Sequence, residues 1–172
     1  MGCDIHSYAE VRKDGKWELV GDIFPADDFE HKYHKRDFMN APFRCRSYRL
    51  FGFLANVRNY SKVPFLSDHR NIPDDSSLHA KYDNEWGYDG HSASWLSLKE
   101  MLDFDYNQTF EDRRCTKQTS PNVWDGAALA DIGEGEMTTY KDFLPEEYFR
   151  SLDVLKTLGD PEDVRVVFWF DN

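Results

Sequence analysis

Alternation of period two opens the chain. Asp4, His6, Tyr8, Glu10 and Arg12 interleave with Ile5, Ala9 and Val11, which predicts a strand over 3–12 with one polar face. Asp14-Gly15 reads as a type I′ turn, so Lys16 to Val20 returns as the second strand of a hairpin. Residues 21–46 carry no period and read as a long loop. The spacing of Leu50, Phe53, Leu54 and Val57 predicts a helix over 47–58. Pro64 and Pro73 mark 59–75 as loop. Ser76 or Ser77 is placed to cap a short helix running to Lys81. Ser97-Leu98-Lys99-Glu100 is a capping box opening a helix to about Asp103. Polar, Gly-containing 105–138 reads as the least regular region. Pro145 suits the first turn of a helix ending near Leu158, with Gly159 as its cap. Val164 to Phe170 is almost wholly apolar, the mark of a strand buried on both faces. The pattern predicts one α+β domain over 1–172. Its mixed or antiparallel sheet includes the N-terminal hairpin and the C-terminal strand, with about three helices.

Composition narrows the class. The chain has 172 residues, enough to bury a sizeable core, and aromatic residues make up 16%. No apolar run approaches the roughly 18 residues of a membrane span. Charge at Asp4, with no long apolar stretch after it, predicts a chain without a signal peptide. Met1-Gly2 suggests myristoylation, but His6 stands where that motif takes Ser or Thr. Cys3, Cys45 and Cys115 are scattered, which fits neither a disulfide framework nor a zinc knuckle. The expected setting is cytoplasmic.

The formal net charge of −11 disfavours membrane surfaces and long nucleic acid. Basic residues nevertheless crowd into 31–70, where nine Lys and Arg face only Asp37 and Asp68. Arg44, Arg46 and Arg49 gather where the first helix begins. That placement opposes the helix dipole unless an anion sits there. The competing reading is that these cations neutralise acidic neighbours across the fold.

Candidate chemistry starts with Asp4 and His6. On a strand they project side by side, which suits metal ligation or a base with its orienting partner. The alternative is a half-exposed polar face. If the first and last strands are neighbours, Asp171 converges on the same pair. Asp89, His91, Ser92 and Ser94 form a second group among Gly87, Gly90, Trp86 and Trp95. Here His91 and Asp89 are candidate ligands and the serines candidate phosphate donors; a plain turn is the alternative. His31 and His34, with Lys32 and Lys35, form a third group and read better as solvated loop, as do Asp22, Asp27 and Asp28. P-loop, Rossmann, Gly-x-Ser-x-Gly and His-Glu-x-x-His patterns are absent from the sequence.

Several segments together resemble a family of small phage and prophage proteins. They are Met1-Gly2-Cys3-Asp4-Ile5-His6, Leu50 to Arg58, Ile72-Pro73-Asp74-Asp75, Gly90-His91-Ser92-Ala93-Ser94-Trp95-Leu96, and Val164 to Asn172. The resemblance spans the chain and implies expression in an infected bacterial cytoplasm. It carries no catalytic roles. By analogy, phage accessory proteins of this size often act on nucleotides or host defence.

The resulting expectation is a metal-assisted hydrolase of a phosphate ester, most simply a nucleotide. Asp4, His6, His91 and Asp89 would hold zinc, manganese or iron. Arg46 and Arg49 would grip phosphate, with Ser92 and Ser94 assisting and Trp86 and Trp95 as stacking platforms. Two alternatives use the same residues differently. One is a nucleotide-sequestering counter-defence protein without chemistry. The other is an inhibitory or structural protein docking on a host factor.

Overall fold

The computed structural model describes residues 2–21, 23–24 and 41–172. The His31 and His34 group, and Asp22, Asp27 and Asp28, lie outside these. The fold is α+β, with antiparallel sheets and five α-helical segments among the described residues. The chain divides into two compact units, each built from separate stretches of sequence. The first comprises 1–46, 69–104 and 146–172; the second comprises 47–68 and 105–145.

The first unit is organised on a four-stranded antiparallel sheet. Strand β1 (Asp4–Lys13) turns into β2 (Lys16–Leu19) through Asp14 and Gly15, at φ 50° and 79°. Positive φ at both turn residues is what a type I′ hairpin requires. Counting strands in chain order, β3 is His91–Ser97 and β8 is Val164–Asp171; the order across the sheet is β2-β1-β8-β3. β8 therefore has a strand on each edge, and its side chains are buried on both faces, which accounts for an apolar sequence interrupted only by Arg165. In register, His6 faces Trp169, Tyr8 faces Val167 and Glu10 faces Arg165.

Trp169, Val167 and Tyr8 form one face of the sheet and pack with Ile72 and Leu78. Helix α2 (His79–Trp86) lays Tyr82 and Trp86 on the same cluster. It begins later and runs further than the expected short helix ending at Lys81, so Trp86 is helical. The expected cap at Ser76 or Ser77 is not formed: the helix starts from Leu78 without a side-chain cap, and Ser76 Oγ instead accepts from the Leu78 N–H at 3.2 Å in the turn before it. On the opposite face Ser7 fixes Phe43, donating to its carbonyl and accepting from its N–H at 2.8 Å each. Phe43 in turn packs on Tyr148 of α5 (Glu146–Leu155), ring centroids 5.5 Å apart. Helix α3 (Leu98–Asp103) starts at the expected capping box: Ser97 Oγ accepts from Glu100 N, and the Glu100 carboxylate accepts from Ser97 N.

The second unit holds helix α1 (Tyr48–Ala55), capped by Ser47 and stopped where Asn56 turns left-handed at φ 56°. It ends short of the expected Arg58. The expectation of irregular structure over 105–138 is corrected: the segment forms two ribbons. β4 (Thr109–Asp112) pairs with β7 (Glu136–Thr139), and β5 (Arg114–Ser120) pairs with β6 (Val123–Leu129). Most side chains of β5 and β6 are exposed on both faces, so no apolar alternation marks them. Short α4 (Tyr140–Phe143) brings Tyr140 to 4.6 Å and Phe143 to 4.9 Å from the Phe110 ring, with Phe53 5.6 Å from Tyr140.

Candidate functional site

The pairing of β1 with β8 brings Asp4, His6 and Asp171 together. Asp4 and Asp171 are register partners, and His6 lies on the same face two residues on. Asp171 uses both carboxylate oxygens here. Oδ1 accepts from the Asp4 N–H at 3.0 Å, and Oδ2 lies 3.2 Å from His6 Nε2. The histidine is thereby held by a carboxylate that is itself pinned to backbone. Trp86 covers the imidazole at a centroid distance of 3.7 Å, and Trp169 lies 6.2 Å away. The indole Nε1 atoms of Trp86 and Trp169 are both buried without a hydrogen-bond partner among the described residues.

Asp4 is engaged by Arg46 through both carboxylate oxygens, one contact being Nε to Oδ1 at 2.6 Å. These hydrogen bonds hold the Asp4 carboxyl below the ordinary carboxylate range, against the opposing effect of partial burial. Gly2 lies against the same guanidinium: a Cβ there would come within 2.9 Å of an Arg46 terminal nitrogen. Arg46 remains 57% exposed.

The other expected residues have other surroundings. Arg49 sits 5.1 Å from the Phe143 ring. Ser94 is buried, its Oγ accepting from the Arg70 N–H at 3.1 Å. Trp95 has the guanidinium of Arg70 at 5.0 Å and that of Arg165 at 5.8 Å, so cations cover the proposed platform. Asp89 is exposed at the turn after α2. His91 is opposite Phe170, whereas His6 is opposite Trp169. Phe170 and Trp169 are adjacent and point to opposite faces, so His6 and His91 belong to different faces of the sheet. The expected convergence of Asp4, His6 and His91 is not formed. Among the described residues no three His, Cys, Asp or Glu side chains are grouped to hold a metal ion.

One feature of this sheet had no clear sequence signal. Glu10 and Arg165, read as strand polar face and apolar strand interior, are both buried and paired, Arg165 Nε donating to Glu10 Oε2 at 2.7 Å. The signal available was a lone arginine inside an apolar run. No family model, curated protein or solved structure matches the chain.

Proposed function

We propose that the protein hydrolyses a phosphate ester of the nucleotide class, with His6 as general base and Asp171 as its orienting partner. The observation that supports this reading is the contact of His6 Nε2 with Asp171 Oδ2 at 3.2 Å. A carboxylate on Nε2 favours the tautomer with its proton there, leaving the Nδ1 lone pair to accept a proton from water. Asp171 also offsets the positive charge that His6 gains. Arg46, exposed beside the pair, supplies the phosphate contact by exchanging its Asp4 carboxylate for phosphate oxygens. The two unpartnered indole N–H groups are further donors for a bound oxygen once Trp86 shifts. Asp171 already engages His6 Nε2, and the reading therefore gives His6 the part of base rather than ligand. The resemblance of these segments to phage and prophage proteins supports a setting in an infected bacterial cell.

The test is turnover of bis(p-nitrophenyl) phosphate and a set of nucleotides by wild type, His6→Asn and Asp171→Asn. General base catalysis contributes about 10²–10⁴-fold, so the His6 variant should lose at least about 100-fold in kcat while keeping its melting temperature. Equal rates in wild type and His6→Asn would overturn the assignment. If calorimetry shows nucleotide binding without turnover, the sequestering alternative stands in its place.

A further inference from the structure

β3 begins irregularly. His91 pairs with Phe170, the next regular pair is Ser94 with Phe168, and between them Ser92 adopts φ 54°. That left-handed conformation is uncommon for a residue with a Cβ. In a regular strand His91 and Ser92 would point to opposite faces. The kink instead brings Ser92 Oγ to 3.0 Å from His91 Nδ1. The His91 ring stacks on Phe170 at 6.1 Å and 25°, which fixes its plane, and its Nε2 is buried without a hydrogen-bond partner among the described residues. Ser92 also lines a cleft of about 390 Å³, together with Asn71, Asp74, His79, Tyr82 and Asp83. That volume falls in the range of small-molecule sites.

We propose that Ser92 is a nucleophile toward small acyl esters, uncharged or cationic, with His91 as its base. The pair has the two parts nucleophilic catalysis needs, a hydroxyl and a base within hydrogen-bond reach, and Ser92 lines a cavity that can hold a substrate, with His91 behind it. The cleft sets the charge preference. Asp74 and Asp83 line it, and among its described lining residues there is no Lys or Arg. An anion placed there would face two carboxylates, with His69 and His79 the only described lining residues able to take up positive charge.

In the first step His91 Nδ1 takes the Ser92 hydroxyl proton as the bond from Oγ to the acyl carbon forms. The ester C–O bond breaks, and the leaving oxygen takes that proton from His91. Water, giving a proton to the same nitrogen, then attacks the acyl carbon; the bond from Oγ to that carbon breaks, Oγ takes the proton back from His91, and the carboxylic acid leaves. His91 Nε2 lacks a carboxylate to stabilise the imidazolium, so turnover is slow and covalent capture is the sensitive readout.

The test is labelling with an uncharged alkyl fluorophosphonate, located by mass spectrometry of the digested protein. Native wild type should carry the label on Ser92, and heat-denatured protein should not. Ser92→Gly accommodates the left-handed backbone and should lose the label. His91→Phe retains the ring stack and should label at least about 100-fold more slowly, the size of a lost general base. His6→Asn should label like wild type, which separates this site from the phosphate-ester reading. No label on native protein, equal label in Ser92→Gly, or wild-type speed in His91→Phe would each overturn the proposal.

Discussion

Glu10 and Arg165 face each other across β1 and β8 and are almost wholly withdrawn from solvent, at 0% and 3% exposure. The pair has further partners: Ser76 Oγ donates to Glu10 Oε1 at 2.6 Å, and Asp75 lies 2.8 Å from Arg165 Nη1, while Arg165 Nη2 is buried with no hydrogen-bond partner among the described residues. Arg165 also lies 4.0 Å from the Trp17 ring. Two charges inside a sheet are tolerated because each has several partners.

Removing one member should therefore be severe. Glu10→Ala leaves Arg165 with Asp75 as its one remaining carboxylate among the described residues and should cost about 3–5 kcal/mol in urea unfolding. The double variant Glu10→Leu, Arg165→Met should recover most of that loss, because apolar residues of similar volume need no partner. A single variant within about 0.5 kcal/mol of wild type would refute the argument.

Acid should weaken the first unit through Glu100. Burial pushes its carboxyl up, but the Arg70 guanidinium and the Ser97 hydrogen bonds outweigh that, and the net shift is downward. A carboxylate lowered in the folded state stabilises above the unfolded value of about 4.3, and this contribution is lost as pH falls through the folded value. Glu100→Gln should accordingly show a smaller stability drop than wild type between pH 5 and pH 3. Parallel curves for the two proteins would count against this.

Gly90→Ala should destabilise by about 1–3 kcal/mol, the usual range for overpacking. A Cβ there would meet the Trp86 carbonyl at 2.8 Å and the Tyr82 ring at 2.8 Å. The Trp86 carbonyl is backbone and has little room to yield. Thermal melts measure the loss, and tryptophan fluorescence should report the displacement of Trp86. An unchanged midpoint would show that the turn relaxes freely.

Deleting residues 164–172 should abolish cooperative folding. Each large apolar side chain in β8 contributes about 1.5–3 kcal/mol, against a total stability of about 5–15 kcal/mol. Val164, Val166, Val167, Phe168, Trp169 and Phe170 are all fully buried. A truncated protein with a native circular dichroism spectrum and melting temperature would contradict this.

The elements with strong local signals were legible in the sequence. The hairpin, the capping box at Ser97 and the buried last strand follow from turn chemistry, reciprocal capping and an unbroken apolar run. The convergence of Asp171 on His6 was legible as a conditional, because the same-face rule applies once β1 and β8 are neighbours. Pairing over such a separation leaves no local trace, so register was not. The ribbons of 105–138 were missed because their strands bury little; Trp124 is 62% exposed, and polar residues stand where alternation would be sought. His91 was grouped with Asp4 and His6, but it pairs with Phe170 whereas His6 pairs with Trp169, and that register has no local signal.

The central position of β8 has a kinetic consequence. The hydrogen bond from Asp4 to Asp171 closes a separation of 167 positions, and the whole β1–β8 ladder is comparably remote. Chain entropy must be given up before any of those contacts forms. Proteins dominated by such pairings fold in milliseconds to seconds rather than microseconds. The four-stranded sheet should thus be the slow step of folding, with the local hairpin of β1 and β2 already formed and waiting, one long edge unsatisfied, for a strand from the far end of the sequence.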